Sequence, residues 1–125
     1  MALVLDAGAL IAYERGDGRV VGLLREAQYD KRAIRISAAV VAQVWRGGAR
    51  QARMARVLAG ASEEPLGPDR ARAIGALLGA NGTSDVVDAA VVDVAEEGDE
   101  ILTAAPDDIA ALARSAGLRV LITPI

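Results

Sequence analysis

The sequence predicts an α/β domain, a three-layer α/β/α sandwich built on a central, mostly parallel five-stranded sheet. Two observations predict it. Short apolar runs alternate along the chain with segments of helical periodicity, the pattern of strands joined by crossover helices and covered on both faces. The chain's 125 residues also suit one domain of the usual size, roughly 100–150 residues. No linker, repeat or low-complexity segment divides it.

Each element has a local cause. Leu3–Leu5 is the first strand, ended by Asp6 and the small residues Ala7-Gly8-Ala9. Residues Ala9–Arg15 make a short helix closed by Gly16. Asp17 caps a helix that runs to Gln28 and buries Val20, Val21, Leu23 and Leu24. Ala33–Ile36 is the second strand. Ser37 caps a helix containing Val40, Val41, Val44 and Trp45, ended by Gly47-Gly48. Ala49–Ala59 forms another, with Met54, Val57 and Leu58 at helical spacing. A third strand is expected near Glu64–Leu66, where Pro65 demands an edge position. Pro68 opens a helix from Asp69 to Leu78, stopped by Gly79 and Asn81-Gly82. Thr83 or Ser84 caps a helix over Asp85–Ala95. Glu100–Thr103 is the fourth strand, Pro106–Ser115 a helix stopped by Gly117, and Arg119–Thr123 the fifth strand.

Composition narrows the chemistry. There is no Cys, so neither disulfides nor a thiolate site is available. There is no His, which removes the commonest general base and transition-metal ligand. Any metal must be a hard ion held by oxygen, with Mg²⁺ or Mn²⁺ the best match. With no Phe, one Trp (Trp45) and two Tyr (Tyr13 and Tyr29), the core must be aliphatic. No apolar stretch approaches the ~20 residues of a membrane span, and no basic n-region precedes the first strand. A cytoplasmic protein is expected. The net charge is −3, but from Lys31 to Ser62 every charged residue is basic. These are Lys31, Arg32, Arg35, Arg46, Arg50, Arg53 and Arg56. A basic stretch with acids gathered elsewhere suits a polyanion held over bound metal; a solvated helix face is the plainer reading.

Asp6 carries the most information. In open α/β sheets, ligands bind at the carboxyl ends of the strands, and Asp6 stands at such an end. Asp85 and Asp88 lie three apart at a helix start and share a face. Capping explains Asp85 without more. Asp88 is flanked by Val86, Val87, Ala89 and Ala90, where a carboxylate costs desolvation unless its charge is used. Asp93 reads as a surface residue. Three converging carboxylates repel one another without a cation, and a divalent ion there would activate a water at a phosphodiester.

These residues resemble those of the PIN-domain ribonucleases, and among them the VapC-type toxins of bacterial toxin–antitoxin pairs. The resemblance covers the whole chain. It rests on Val4-Leu5-Asp6, on Ser37 to Gly48, on Thr83-Ser84-Asp85-Val86-Val87-Asp88-Ala89, and on Ile101 to Asp108, in that order. It implies a PIN-like fold and Mg²⁺- or Mn²⁺-dependent cleavage of RNA, often tRNA or ribosomal RNA. It also implies a homodimer and an antitoxin that blocks the site. Asp6 matches the first family acid and Asp88 the late one, with Asp85 as companion. The acid of the helix after the second strand falls at Gln43, a neutral oxygen ligand or hydrogen-bond partner. The acid after the fourth strand falls at Ala105, which offers only its backbone. Asp107 and Asp108 read first as ordinary first-turn acids of the following helix, with Asp107, two residues past Ala105, the alternative as a displaced substitute. Weak metal affinity and low nuclease activity follow.

The expected site is therefore Asp6, Asp85, Asp88 and Gln43, with metal on Asp6, Asp88 and Asp85. Arg46, Arg50 and Arg53 are expected to contact RNA or an antitoxin. The alternative is a catalytically lapsed module that binds RNA or an antitoxin. A receiver- or phosphatase-like use of Asp6 lacks its companions: Lys31 is poorly placed, and Gly8 stands where a second Asp would be needed. Trp45, at helical spacing with Val41, is expected in core or dimer packing.

Overall fold

The computed structural model describes residues 1–125. Its sheet is wholly parallel and ordered β3-β2-β1-β4-β5. The strands are β1 (Leu3–Leu5), β2 (Ile34–Ser37), β3 (Ser62–Glu64), β4 (Glu100–Thr103) and β5 (Leu121–Pro124). The helices are α1 (Ala7–Glu14), α2 (Gly18–Tyr29), α3 (Ala38–Val44), α4 (Ala52–Ala59), α5 (Pro68–Asn81), α6 (Val86–Val94) and α7 (Pro106–Ser115). Right-handed crossovers put α1, α2 and α4 on one face and α5, α6 and α7 on the other, with α3 bridging α1 and α6. The chain winds outward from β1 through β2 to β3, then returns to β4 on the opposite side of β1. The gap between the carboxyl ends of β1 and β4 is the switch point of the sheet, where α/β domains place their ligands.

The core is aliphatic, as expected. Leu5, Leu10, Leu24, Ile36, Met54, Ile101, Leu102, Ile109 and Leu112 are among its fully buried side chains. Each buried aliphatic contributes about 1.5–3 kcal/mol relative to exposure, so the absence of Phe costs little.

Several boundaries move for identifiable reasons. β3 lies two residues earlier than expected, since Ser62, Glu63 and Glu64 pair with Arg35, Ile36 and Ser37 and Pro65 ends the ladder. β5 starts at Leu121, opposite Glu100. The single helix expected over Ala49–Ala59 is a 3₁₀ turn, Ala49–Gln51, followed by α4. The helix Asp85–Ala95 is capped by Asp85 itself and not by Thr83 or Ser84, since Asp85 Oδ1 accepts from Asp88 N.

Trp45 is not a core residue. It closes α3 in extended backbone and is 42% exposed. The turn that follows is shaped by Gln51, which is 9% exposed. Its Oε1 accepts from the N–H groups of Arg46 and Gly47, and its Nε2 donates to the carbonyl of Val44 and to Glu14. Asp93 is not a surface residue either: it faces Arg70 Nε of α5 at 2.9 Å. Its Oδ2 receives no well-aligned hydrogen bond, and burial holds its carboxyl above the usual range against the opposing pull of Arg70.

The amino end of the sheet is locked by Asp99, which is 3% exposed. It accepts from Ala2 N and Glu96 N, and pairs with Arg35 Nη1 at 2.8 Å. Burial alone would raise its carboxyl; these N–H groups and the guanidinium outweigh that and hold it below the usual range. Arg35 also donates to the carbonyl of Val94, so this cluster ties β1, β2 and β4 to the end of α6. Removing one partner of a buried pair costs about 3–5 kcal/mol. Asp99→Ala is therefore expected to lower the unfolding free energy by about 3 kcal/mol in urea denaturation. A loss under about 1 kcal/mol would show that the cluster is incidental.

Candidate functional site

Asp6 ends β1 with extended backbone and caps α1, its Oδ1 accepting from Ala9 N at 2.7 Å. Its Oδ2 accepts from the Thr103 hydroxyl and from Ala104 N at the end of β4. The Asp6 N–H donates to the Leu102 carbonyl. Asp6 is therefore 4% exposed and fixed across the switch point by hydrogen bonds on both oxygens. Each carboxylate oxygen still has lone-pair capacity for another partner.

The approach of α1 to β4 is possible because residue 8 is glycine. A Cβ on Gly8 would meet Ala104 Cβ at 2.5 Å and Asp6 Oδ1 at 3.4 Å. The small residues after Asp6 are thus a packing requirement of the site.

Asp88 stands in the first turn of α6, half-buried, and Asp85 caps that helix. The Asp88 carboxyl is raised to about 6, first by burial and then by the charges of Asp85, Asp108 and Asp6. Four acids from three elements thus converge at one end of the sheet. Asp85, Asp88 and Asp108 line a cavity of about 410 Å³ together with Asn81, Thr83, Ser84, Ala111 and Leu112.

Both Asp107 and Asp108 fit helix-terminal charge in the sequence, with Asp107 the alternative substitute for the missing acid. The structure separates the two. Asp108 lines the cavity and adds to the field on Asp88, while Asp107 does neither. The spacing contains the signal: Asp108 is three residues past Ala105 and shares its helical face, whereas Asp107 is two past and points elsewhere. Ala105 occupies the N-cap position of α7 without a side-chain cap bond.

Gln43 lies on α3, exposed and outside the cavity lining, with no side-chain hydrogen bond to the acids. Arg46, Arg50, Arg53 and Arg56 are exposed and form no salt bridge to any acid of the chain, whereas Arg32 and Arg35 are paired with Glu100 and Asp99. The basic stretch therefore divides into structural arginines on β2 and its approach and free arginines near α4. Arg53 lies against Gly16 at the carboxyl end of α1, the far end of that helix from Asp6.

The donor set is all carboxylate oxygen, which suits a hard divalent cation. No three of the acids stand within reach of a common ion position. That arrangement fits a cation such as Mg²⁺, which is commonly bound through one or two carboxylates and keeps several waters.

Two outcomes follow. Gly8→Ala, which forces α1 off β4, is expected to cost about 1–3 kcal/mol, measured by chemical denaturation; an unchanged midpoint would refute the close approach. For Asp88, the folded carboxyl at about 6 lies above its ordinary value of 3.8. The folded state then holds the proton more tightly, so stability falls as pH rises between those values and stays reduced above them. With chelator present, Asp88→Asn should raise the thermal midpoint at pH 7.5 by a few °C, with the gain shrinking toward pH 4. A gain that is equal at both pH values would mean the acids do not repel.

No family model matches the chain, and no curated protein matches it in sequence. Solved structures do match. One is a chain of VapBC2 from Rickettsia felis, crystallised bound to a DNA fragment from their promoter. It superposes with a TM-score of 0.71 over 98% of this chain and 99% of that chain, at 13% identity. At that identity the likeness is one of fold: the chain has the parallel, five-stranded PIN-like architecture.

Proposed function

We propose that the protein is a metal-dependent endoribonuclease of the toxin type, weakened by Ala105 and paired with an antitoxin. The observation that carries this reading is the raised Asp88 carboxyl among Asp85, Asp108 and Asp6 at the switch point. Perturbed acids gathered in a cleft mark functional sites more often than structural ones.

Asp6 and Asp88 would hold Mg²⁺ or Mn²⁺, with Asp85 adding negative charge from the N-cap of α6. When bound, the cation supplies a more acidic water and charge stabilisation at a phosphodiester. The chain's own residues supply the rest. Thr103 and the N–H groups of Ala9 and Ala104 hold Asp6 in one orientation. Asp88, half-buried beside Asp85 and Asp108, would give up its proton when the cation binds, which relieves the repulsion among the acids. Asp108 restores part of the negative charge that Ala105 lacks. Gln43, exposed on α3, would contribute a neutral oxygen at most.

RNA, tRNA or ribosomal RNA among the candidates, is the substrate class of this reading. The unpaired Arg46, Arg50 and Arg53 support a polyanionic or acidic partner, RNA or antitoxin. The shared fold with a chain of VapBC2 supports an antitoxin partner. A homodimer belongs to the same reading, supported by an apolar groove at α5–α7 lined by Ala73, Ala76, Leu77 and Leu118. No helix is long and apolar enough to cross a membrane, in keeping with a cytoplasmic toxin. The second reading, a lapsed module that binds RNA or antitoxin, is favoured by Ala105 and by the absence of three acids within reach of a common ion position.

The test is RNA cleavage in Mn²⁺ by this chain and by Ala105→Asp. The substitution should raise the rate at least about tenfold, a transition-state gain of about 1.4 kcal/mol. Added Asp88→Asn should abolish the gain. The new Asp also supplies the missing cap of α7, worth ~1 kcal/mol, so a higher melting temperature confirms that it has folded in place. Equal rates in all three proteins would refute the nuclease reading. RNA binding that survives Asp88→Asn but fades with salt would establish the lapsed module.

A further inference from the structure

We infer that the cavity beside the acids is a nucleoside pocket, which seats the neutral part of the nucleotide next to the scissile phosphate. The inference rests on the ribonuclease reading and concerns the same crevice. The cavity has a chemically mixed lining. Asp85, Asp88 and Asp108 supply carboxylates, Asn81, Thr83 and Ser84 an amide and two hydroxyls, and Ala111 and Leu112 apolar surface. No cationic side chain lines it. With three carboxylates in the lining and no cation, a phosphate would find nothing in the cavity to balance its charge. A ribose or base meets hydroxyls and an aliphatic floor, the mixture that ligand pockets of ~300–1,000 Å³ commonly present.

A chain of hydrogen bonds orders the amide and the Thr83 hydroxyl. Ser115 on α7 donates its hydroxyl to Asn81 Oδ1 at 2.9 Å. Asn81 Nδ2 in turn donates to Thr83 Oγ1 at 3.2 Å. The Thr83 oxygen is thereby used as an acceptor, which leaves its O–H hydrogen free to donate to a ligand. The Ser84 hydroxyl is exposed and has no partner within the chain. Gly82, in the left-handed region at φ 71°, turns the backbone so that Thr83 and Ser84 follow α5 into the mouth of the cavity. Asn81 is thus a positioning residue, and Thr83 and Ser84 are the reading groups.

The experiment is a cycle in RNA binding. Wild type and a Thr83→Val/Ser84→Ala double variant are titrated with a labelled single-stranded RNA of about eight nucleotides, in Ca²⁺ rather than Mn²⁺. The RNA is used intact and with one base removed at each position in turn. One abasic position should weaken wild-type binding by about tenfold, or ~1.4 kcal/mol. The double variant should weaken intact RNA similarly, and the two losses should not add. Losses that add, or a double variant that binds like wild type, overturn the nucleoside pocket and leave the ribonuclease reading standing. A wild type that binds no RNA at all overturns both.

Discussion

The architecture depends on the hydrogen bonds that Asp6 accepts. One carboxylate joins the end of β1 to the first turn of α1 and to the end of β4. β1 and β4 are also the strands between which the chain reverses its course through the sheet. A single buried acid therefore closes the one place where neighbouring strands are not consecutive in the chain. It can do so because each donor is a backbone N–H or a hydroxyl with no charge of its own. No positive charge of the chain accompanies the carboxylate at the rim, and its field reaches Asp88.

The two ends of the sheet treat buried acids in opposite ways. At the amino end, Asp99 meets a guanidinium and two N–H groups, and its charge is matched. At the carboxyl end, Asp6, Asp85, Asp88 and Asp108 face one another with no cation from the chain, and Asp88 is pushed toward neutrality. Acid loosens the first end, because a lowered carboxyl gives up its contribution as it is protonated. Acid relaxes the second. Proteins tolerate mutual repulsion of this kind at sites where the charge has a use, and they place the compensating stability elsewhere.

The layers, the strand count and Asp6 were legible in the sequence because each follows from local pattern. Leu3–Leu5 followed by Asp6, and Glu100–Thr103 followed by Pro106, fix their own ends. The exposed edge was less legible. Ser62–Glu64 has no apolar alternation and becomes a strand only because Arg35–Ser37 offers a free ladder. Trp45 was expected in core or dimer packing from its helical spacing, and it lies outside the core because Gln51 takes over the backbone groups that would have continued the helix. Asp108 was missed because charge at a helix start has a sufficient local explanation. Only the packing of α7 beside α6 shows that its face is shared with Asp88. Gln43, matched by motif, is legible as an exposed α3 residue and nothing more.

The contact between Gly8 and Ala104 links two positions nearly a hundred residues apart in the chain. With so little space between them, neither can grow unless the helix gives way. An alanine at 8 should therefore be tolerated only with a glycine at 104, whose Cα would lie at an ordinary 3.6 Å, so homologous chains should keep at least one of the two positions as glycine. That makes the pair a covariation marker for the fold, independent of which acids a given chain retains. It remains readable in sequences where, as at Ala105, the chemistry around the rim has changed.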